Sequence, residues 1–353
     1  MKRRVLILLE GLAIGGAQNM IYELLRCIDR DRFEVNVLCY GHRIENDLTA
    51  KIEKIQSVKY LDQTGQINIK VIFKVLKAIN QEKPDVVHAH LGGVPFAVLW
   101  KTVHRGSLII TAHTRPDKAF TPKILPLLRG MIERNKVQVV AVSKENQRLL
   151  ADFFNAHESK FPFINNGINL QRFYQKEHLN FTFINVGRQD ENKNQISILN
   201  AFEILYKGNN NVRLILLGDG EKHPYLVEEV KKRALDEVII IPGNVGNTED
   251  YYAISDCYVQ ASHREALPLT ALEAMASKLP IISTDVGGMR DIVSDKNGYL
   301  VKDDDDIGML SAMRKIYSAS LGMIKEMSNA SYEKVMEYSS EQMTKKYEEL
   351  YEV

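Results

Sequence analysis

Cysteine is scarce in this 353-residue chain: Cys27, Cys39 and Cys257 are the only three, widely spaced and without a CxxC pair. An odd, scattered set excludes a disulfide framework and a zinc site built on thiolates. It fits a reducing compartment, so a cytoplasmic placement is expected. Long apolar runs are also missing. Lys2-Arg3-Arg4 followed by Val5–Leu9 has the outline of a signal peptide, but the run stops at Glu10 after five apolar residues. Nothing elsewhere approaches the ~18 apolar residues that span a bilayer. Net charge is nearly absent at +1, yet it is unevenly laid out. Residues 1–176 hold 27 Lys/Arg against 16 Asp/Glu, and residues 177–353 hold 19 against 29. Either the halves complement each other, or the first half faces something anionic such as a membrane surface or a lipid diphosphate. No nucleic-acid motif accompanies the bias, so a nucleic-acid partner is not expected.

What is present is an ordinary globular composition, 45% apolar and 26% charged, on a length that suits two domains of ~100–200 residues each. Short β-branched runs at 4–9, 33–40, 85–89, 108–112 and 137–142 alternate with amphipathic stretches such as 18–28, 69–81 and 144–154. Strands of that kind are buried on both faces, and the alternation spells repeated βαβ units in a doubly wound parallel sheet. The pattern restarts at 181–187 and continues through 212–218, 238–242, 257–260, 280–284 and 299–301. Between the two series lie the turn-forming Asn165-Asn166-Gly167-Ile168-Asn169 and an aperiodic polar stretch, 171–180, which mark a hinge. The tail, 328–353, reads as one or two helices. The expected domains are therefore 1–170, completed by a C-terminal helix at about 338–353, and 171–337. Ligands of such α/β folds bind outside the carboxyl ends of the strands, so chemistry is sought in the strand-to-helix loops.

The most informative loop follows the strand at 257–260 and reads Ala261-Ser262-His263-Arg264-Glu265-Ala266-Leu267-Pro268-Leu269-Thr270-Ala271-Leu272-Glu273-Ala274-Met275-Ala276. Pro268 suits the first turn of a helix, so Glu265 in the loop and Glu273 on the helix bracket a helix N-terminus. Free N–H groups at that end, from Ala266, Leu267, Leu269 and Thr270 onward, suit a diphosphate, and the carboxylates suit sugar hydroxyls. Taken alone, both glutamates also read as ordinary residues complementing a helix dipole.

In context, the two glutamates with seven residues between them, within Glu-Ala-Leu-Pro-Leu…Glu-Ala-Met-Ala, resemble the signature of family 4 of the retaining glycosyltransferases. The following Pro280–Gly288 and Asn297–Val301 are similar to that family's next strand and turns. The resemblance implies the GT-B fold, two Rossmann-like domains facing each other across a cleft, with C-terminal helices. It implies a nucleotide-diphosphate sugar as donor, a uridine diphosphate sugar being the first choice, and a glycan or lipid-linked acceptor at the inner membrane face. It implies Arg188 and Lys193 on the donor diphosphate, where fixed cations stabilise the charge that develops as the glycosyl–phosphate bond breaks. It implies His113 on the donor sugar, and the loops of Gly218, Gly220, Asn244 and Val245 around the nucleotide base. Gly15 and Gly16, after the first strand, let backbone approach a phosphate or acceptor closely. His88 and His90 end a strand on one face, and are secondary acceptor-side candidates.

No metal or other cofactor is expected. Asp303–Asp306 reads as a helix cap rather than an acidic metal motif, and Arg188 and Lys193 neutralise a diphosphate without one. The bulky, basic stretch 118–136 is either a helix packed on the first sheet or a contact with an anionic membrane. Two other readings stand beside the transferase: a nucleotide-sugar epimerase or sugar phosphorylase on the same fold, and a non-catalytic docking subunit.

Overall fold

The computed structural model describes every residue except 1, 14, 64, 66 and 266. Contacts divide the chain into a first unit, Met1–Gly167 with Ser340–Val353, and a second, Ile168–Ser339.

The first unit holds a parallel sheet of β1 (Arg3–Leu9), β2 (Phe33–Cys39), β3 (Val58–Tyr60), β4 (Val86–His90), β5 (Ser107–Ala112) and β6 (Gln138–Ala141). Their order is β3-β2-β1-β4-β5-β6. Successive side chains of a strand point to opposite faces, and β1 shows why its run is uniformly apolar. Leu6 and Leu8 enter a core shared with Val75, Ala97 and Trp100. Val5, Ile7 and Leu9 enter the opposite one, with Leu24, Ile52, Tyr347 and Tyr351. The last two belong to the helix Ser340–Glu352, which packs on the first unit. Glu348 of this helix accepts the Asp29 backbone N–H at 2.7 Å and pairs with Arg32 at 3.3 Å. β3 was not expected: three residues at a sheet edge are too short to show a period.

The second unit repeats the plan with β7 (Phe181–Val186), β8 (Val212–Leu217), β9 (Ile239–Gly243), β10 (Cys257–Gln260), β11 (Ile281–Thr284) and β12 (Gly298–Val301). The order β12-β11-β10-β7-β8-β9 is that of the first sheet, strand for strand. In each sheet the order reverses beside the first strand, between β1 and β4 and between β7 and β10, and such switch points open a crevice at the strands' carboxyl ends.

With the C-terminal helix counted, the first unit carries 27 Lys/Arg against 20 Asp/Glu and the second 19 against 25. Among the described residues no helix is long and apolar enough to cross a membrane.

Candidate active site

At the switch point of the second unit, the loops leaving β7 and β10 meet. β7 ends at Val186, and the chain turns through 187–194 into the helix Gln195–Gly208. Asp190 organises this turn: one carboxylate oxygen accepts the Lys193 backbone N–H at 3.0 Å, and the other accepts from Arg188 Nε at 2.5 Å. Arg188 is nevertheless 77% exposed, so its guanidinium remains open to a ligand.

The loop after β10 is stitched to this turn by two bonds. The His263 N–H donates to the Asn192 carbonyl at 2.8 Å, and the Asn192 side-chain amide donates to the Arg264 carbonyl at 3.1 Å. That alignment sets Lys193 Nζ 2.5 Å from Glu265 Oε1, with the side chains 22% and 10% exposed. Two opposite charges so shielded from water hold each other firmly in place. A carboxylate in such a pair is a positioned acceptor for hydroxyls.

The helix Leu269–Ala276 starts behind this loop. Pro268 stands at its N-cap rather than inside its first turn, and no side chain caps it. The N–H groups of Leu269 and Thr270 thus face a helix end open to an anion. The Thr270 hydroxyl is already engaged, 3.0 Å from the Tyr258 hydroxyl. Glu273, half-buried on the helix, accepts from the Tyr252 hydroxyl at 3.3 Å, a proton shared with the Thr270 carbonyl. Burial pushes the Glu273 carboxyl up to about 7, against the pull of nearby Arg172.

Gly218 and Gly220 allow the β8 loop to lie against the β7 turn: a Cβ on Gly218 would stand 2.1 Å from the Gly187 carbonyl oxygen, and one on Gly220 2.3 Å from that of Gln189. Asn244 and Val245 follow β9. Val245, Leu267 and Leu269 are partly buried against the same apolar cluster. Ala266 lies outside the described residues.

In the first unit, Gly15 caps the helix Gly16–Cys27, which has no side-chain cap, and nothing stands within 4 Å of a Cβ built on Gly16. A cavity of about 400 Å³ opens at the carboxyl ends of the strands, lined by Glu10, Gln18, Tyr40, His42, Gln63 and Ile67 among others. The Tyr40 hydroxyl bonds to Glu10, and burial raises its phenol above the usual range.

The expectation that His88 and His90 line an acceptor site is corrected, since both are fully buried. Central β4 is covered by the C-terminal helix, and His88 is used there: Nδ1 lies 2.6 Å from the Tyr351 hydroxyl and Nε2 2.8 Å from that of Thr111, which also meets Tyr347 at 3.0 Å. His90 Nδ1 lies 2.9 Å from Nε2 of His113, which is half-buried after β5. Burial lowers all three imidazoles, His88 to about 3 and His113 to about 4, so they are neutral near pH 7.

The four aspartates 303–306 divide their work. Asp305 caps the helix Asp306–Tyr317 by accepting from Gly308, and Asp306 bonds Ser197 and Asn200. Asp303 instead meets His263 at 2.8 Å, with Asp304 at 3.8 Å, a grouping the sequence did not suggest because 40 residues separate its members. The three cysteines are free. Asp190 and Asn192, which shape the site, were also missed; an acidic residue two places after the loop arginine was the one available signal.

Known proteins share this plan of two sheets with one strand order. A family profile described as glycosyl transferases group 1 matches residues 169–334, and one described as glycosyltransferase family 4 matches 14–172. The chain belongs to the family 4 glycosyltransferases. It is 28% identical over 262 residues to an uncharacterized glycosyltransferase of Methanocaldococcus jannaschii, covering 65% of this chain and 64% of that protein. It is 28% identical over 274 residues to the alpha-monoglucosyldiacylglycerol synthase of Acholeplasma laidlawii, covering 65% and 68%. The structure of Anabaena HepE in complex with UDP-glucose superposes with a TM-score of 0.76 at 18% identity, covering 99% of this chain and all of that one. The glycosyltransferase therefore has the GT-B fold expected of it.

Proposed function

We propose that this glycosyltransferase moves a sugar, with retention of configuration and without a metal ion, from a nucleotide-diphosphate donor to a hydroxyl of a glycan or lipid-linked acceptor. The observation that carries the reading is the Lys193–Glu265 pair at the switch point, beside the open Arg188 guanidinium. Arg188, Lys193 and the start of the helix Leu269–Ala276 neutralise the diphosphate, Glu273 accepts from the ribose, and Glu265 fixes the sugar. As the glycosyl–phosphate bond breaks, its electron pair goes to the phosphate oxygen, where the two cations stabilise it. The acceptor oxygen bonds the anomeric carbon on the same face and passes its proton to that departing phosphate. Glu265, tied to Lys193, positions rather than attacks. His113 is assigned to the donor sugar by the family resemblance alone. UDP is the favoured nucleotide, supported by the likeness to an enzyme solved with UDP-glucose.

The acceptor is assigned to the cavity of Glu10, Tyr40 and Gln63, whose oxygens suit a polyhydroxylated ligand. An anionic membrane contact, with the enzyme on the inner face of the membrane, is favoured by one surface. The helix Ile69–Glu82 shows Ile69 at 62% and Phe73 at 67% exposure, with Lys70, Lys74 and Lys77 around them, and Ile67 at 50% just before it. The stretch 118–136, by contrast, buries Phe120, Ile124, Leu128, Met131 and Ile132 and exposes only Leu127 among its large apolar residues. A second copy would oppose lysines to lysines, whereas an anionic bilayer takes both the apolar and the cationic groups.

Two assays test this. Product analysis with a panel of UDP sugars, with and without acceptor, should show an α-linked product only when acceptor is added. A phosphorylated free sugar or an epimerised donor would favour the phosphorylase or epimerase. Co-sedimentation with vesicles should show binding to anionic but not zwitterionic lipid, weakened by Phe73→Glu; equal partition to both would remove the membrane contact.

A further inference from the structure

His90 is the one member of the buried imidazole group that neither the fold nor the proposed reaction uses. It lies opposite Thr111 on the neighbouring strand, is 0% exposed, and sits between the tilted rings of His88, 4.1 Å away between ring centres, and His113, 5.2 Å away. Its Nδ1 is 2.9 Å from His113 Nε2, and its Nε2 is buried with no hydrogen-bond partner among the described residues. We infer that His90 is a positioning residue that fixes the proton of His113 on Nδ1, so that His113 offers a hydrogen-bond donor, and not a base, to its ligand.

Two tautomer pairs can make the bond between His90 and His113, and only one leaves no buried donor unpaired. Both rings are neutral, so one proton lies between them. If His113 Nε2–H donated to His90 Nδ1, the His90 proton would sit on Nε2, leaving a buried N–H with nothing to accept it. Orphaned buried N–H groups are the rarer and costlier defect, while a lone pair left without a donor is more readily tolerated. The favoured pair therefore has His90 Nδ1–H donating to the bare Nε2 of His113. His113 then carries its proton on Nδ1, the form less populated in a free histidine. A ring that presents N–H selects a sugar offering an oxygen lone pair there, and it takes no proton from the acceptor hydroxyl. That agrees with the leaving phosphate as proton acceptor; the inference rests on the proposed contact of His113 with the donor sugar only for this consequence.

Two-bond 1H–15N correlation spectra of the full chain labelled with 15N-histidine test the assignment directly. His113 should show a protonated Nδ1 and a bare Nε2, and a wild-type spectrum with the proton on Nε2 overturns the inference without any variant. His90→Leu should return His113 toward the Nε2–H form and lower kcat about three- to tenfold, with donor KM changing less. His90→Asn, whose amide N–H can take the place of Nδ1–H, should restore both. An unchanged His113 tautomer in His90→Leu also overturns it. If His113→Ala transfers sugar at the wild-type rate while the tautomer is as stated, the contact with donor fails and the tautomer assignment stands.

Discussion

The two units have one topology and opposite chemistry. Each sheet reverses its strand order beside its first strand. In the second unit that place is filled with charge: Arg188 on Asp190, Lys193 on Glu265, and an uncapped helix start. In the first unit the corresponding strands carry buried neutral groups, His88, His90 and Thr111, of which His88 and Thr111 bond the tyrosines of the C-terminal helix. The same fold thus gathers paired charges where its loops bring ions together, and forms a packed neutral scaffold where they do not, which is the sense in which function is grafted onto a fold.

The comparison breaks most sharply at Lys193. Lys193→Ala leaves the largely buried Glu265 without its partner and removes a cation from the leaving group, so kcat should fall about 10²–10³-fold with a smaller change in donor affinity, measured by steady-state kinetics. A neutral substitution in the first unit, Tyr351→Phe, should leave kcat nearly unchanged.

Next in size is the close approach at Gly218. A Cβ there meets a backbone oxygen that cannot give way, so Gly218→Ala should destabilise the second unit by about 2–3 kcal/mol. Chemical unfolding should report that loss, while Gly16→Ala, with open space around it, should stay within about 1 kcal/mol of wild type.

Glu273 tests the charged side through pH. Its folded value of about 7 lies above that of a free carboxyl, so its contribution to stability is complete at acid pH, below the unfolded value, and is lost as pH rises through about 7. Ribose hydroxyls favour the ionised form, so donor affinity should improve as pH rises from 6 to 8, by at most about tenfold per unit below 7. Glu273→Gln should flatten the profile.

The neutral side responds with the opposite sign. His88, near 3, and His113, near 4, are depressed in the folded chain. The stability they confer is present above the unfolded value of about 6.5 and is lost as pH falls from there toward 4, by up to about 1.4 kcal/mol per unit for each ring. Melting followed between pH 7 and 5 should show the first unit weakening, and His88→Leu should reduce the slope. The smallest effect belongs to Tyr351→Phe, about 1 kcal/mol for one buried hydrogen bond.

How much of this was legible in the sequence follows from the same contrast. Eleven of the twelve strands announced themselves because parallel strands are apolar throughout, and the edge strand β3 did not because it has three residues. Glu265 and Glu273 stood out because they bracket a helix start, and Arg188 and Lys193 because the family resemblance points to them just after a strand end. Asn192 and the pairing of His263 with Asp303 were hidden, since their partners come from separate loops and only the closed sheet brings them together, whereas Asp190 bonds Arg188 and Lys193 within its own turn and went unread. His88 and His90 misled for the same reason: alternation told which face they share, but nothing in their own segment told that a helix from the far end of the chain covers it.

The central claim, that the charged switch point of the second unit holds a nucleotide diphosphate, is tested most directly by calorimetric titration of UDP into wild type, Lys193→Ala and Glu273→Ala at pH 8. Saturable one-site binding to wild type, weakened in both variants, is the predicted result. Equal affinity in all three, or no binding of UDP or any other nucleotide diphosphate to wild type, would contradict it.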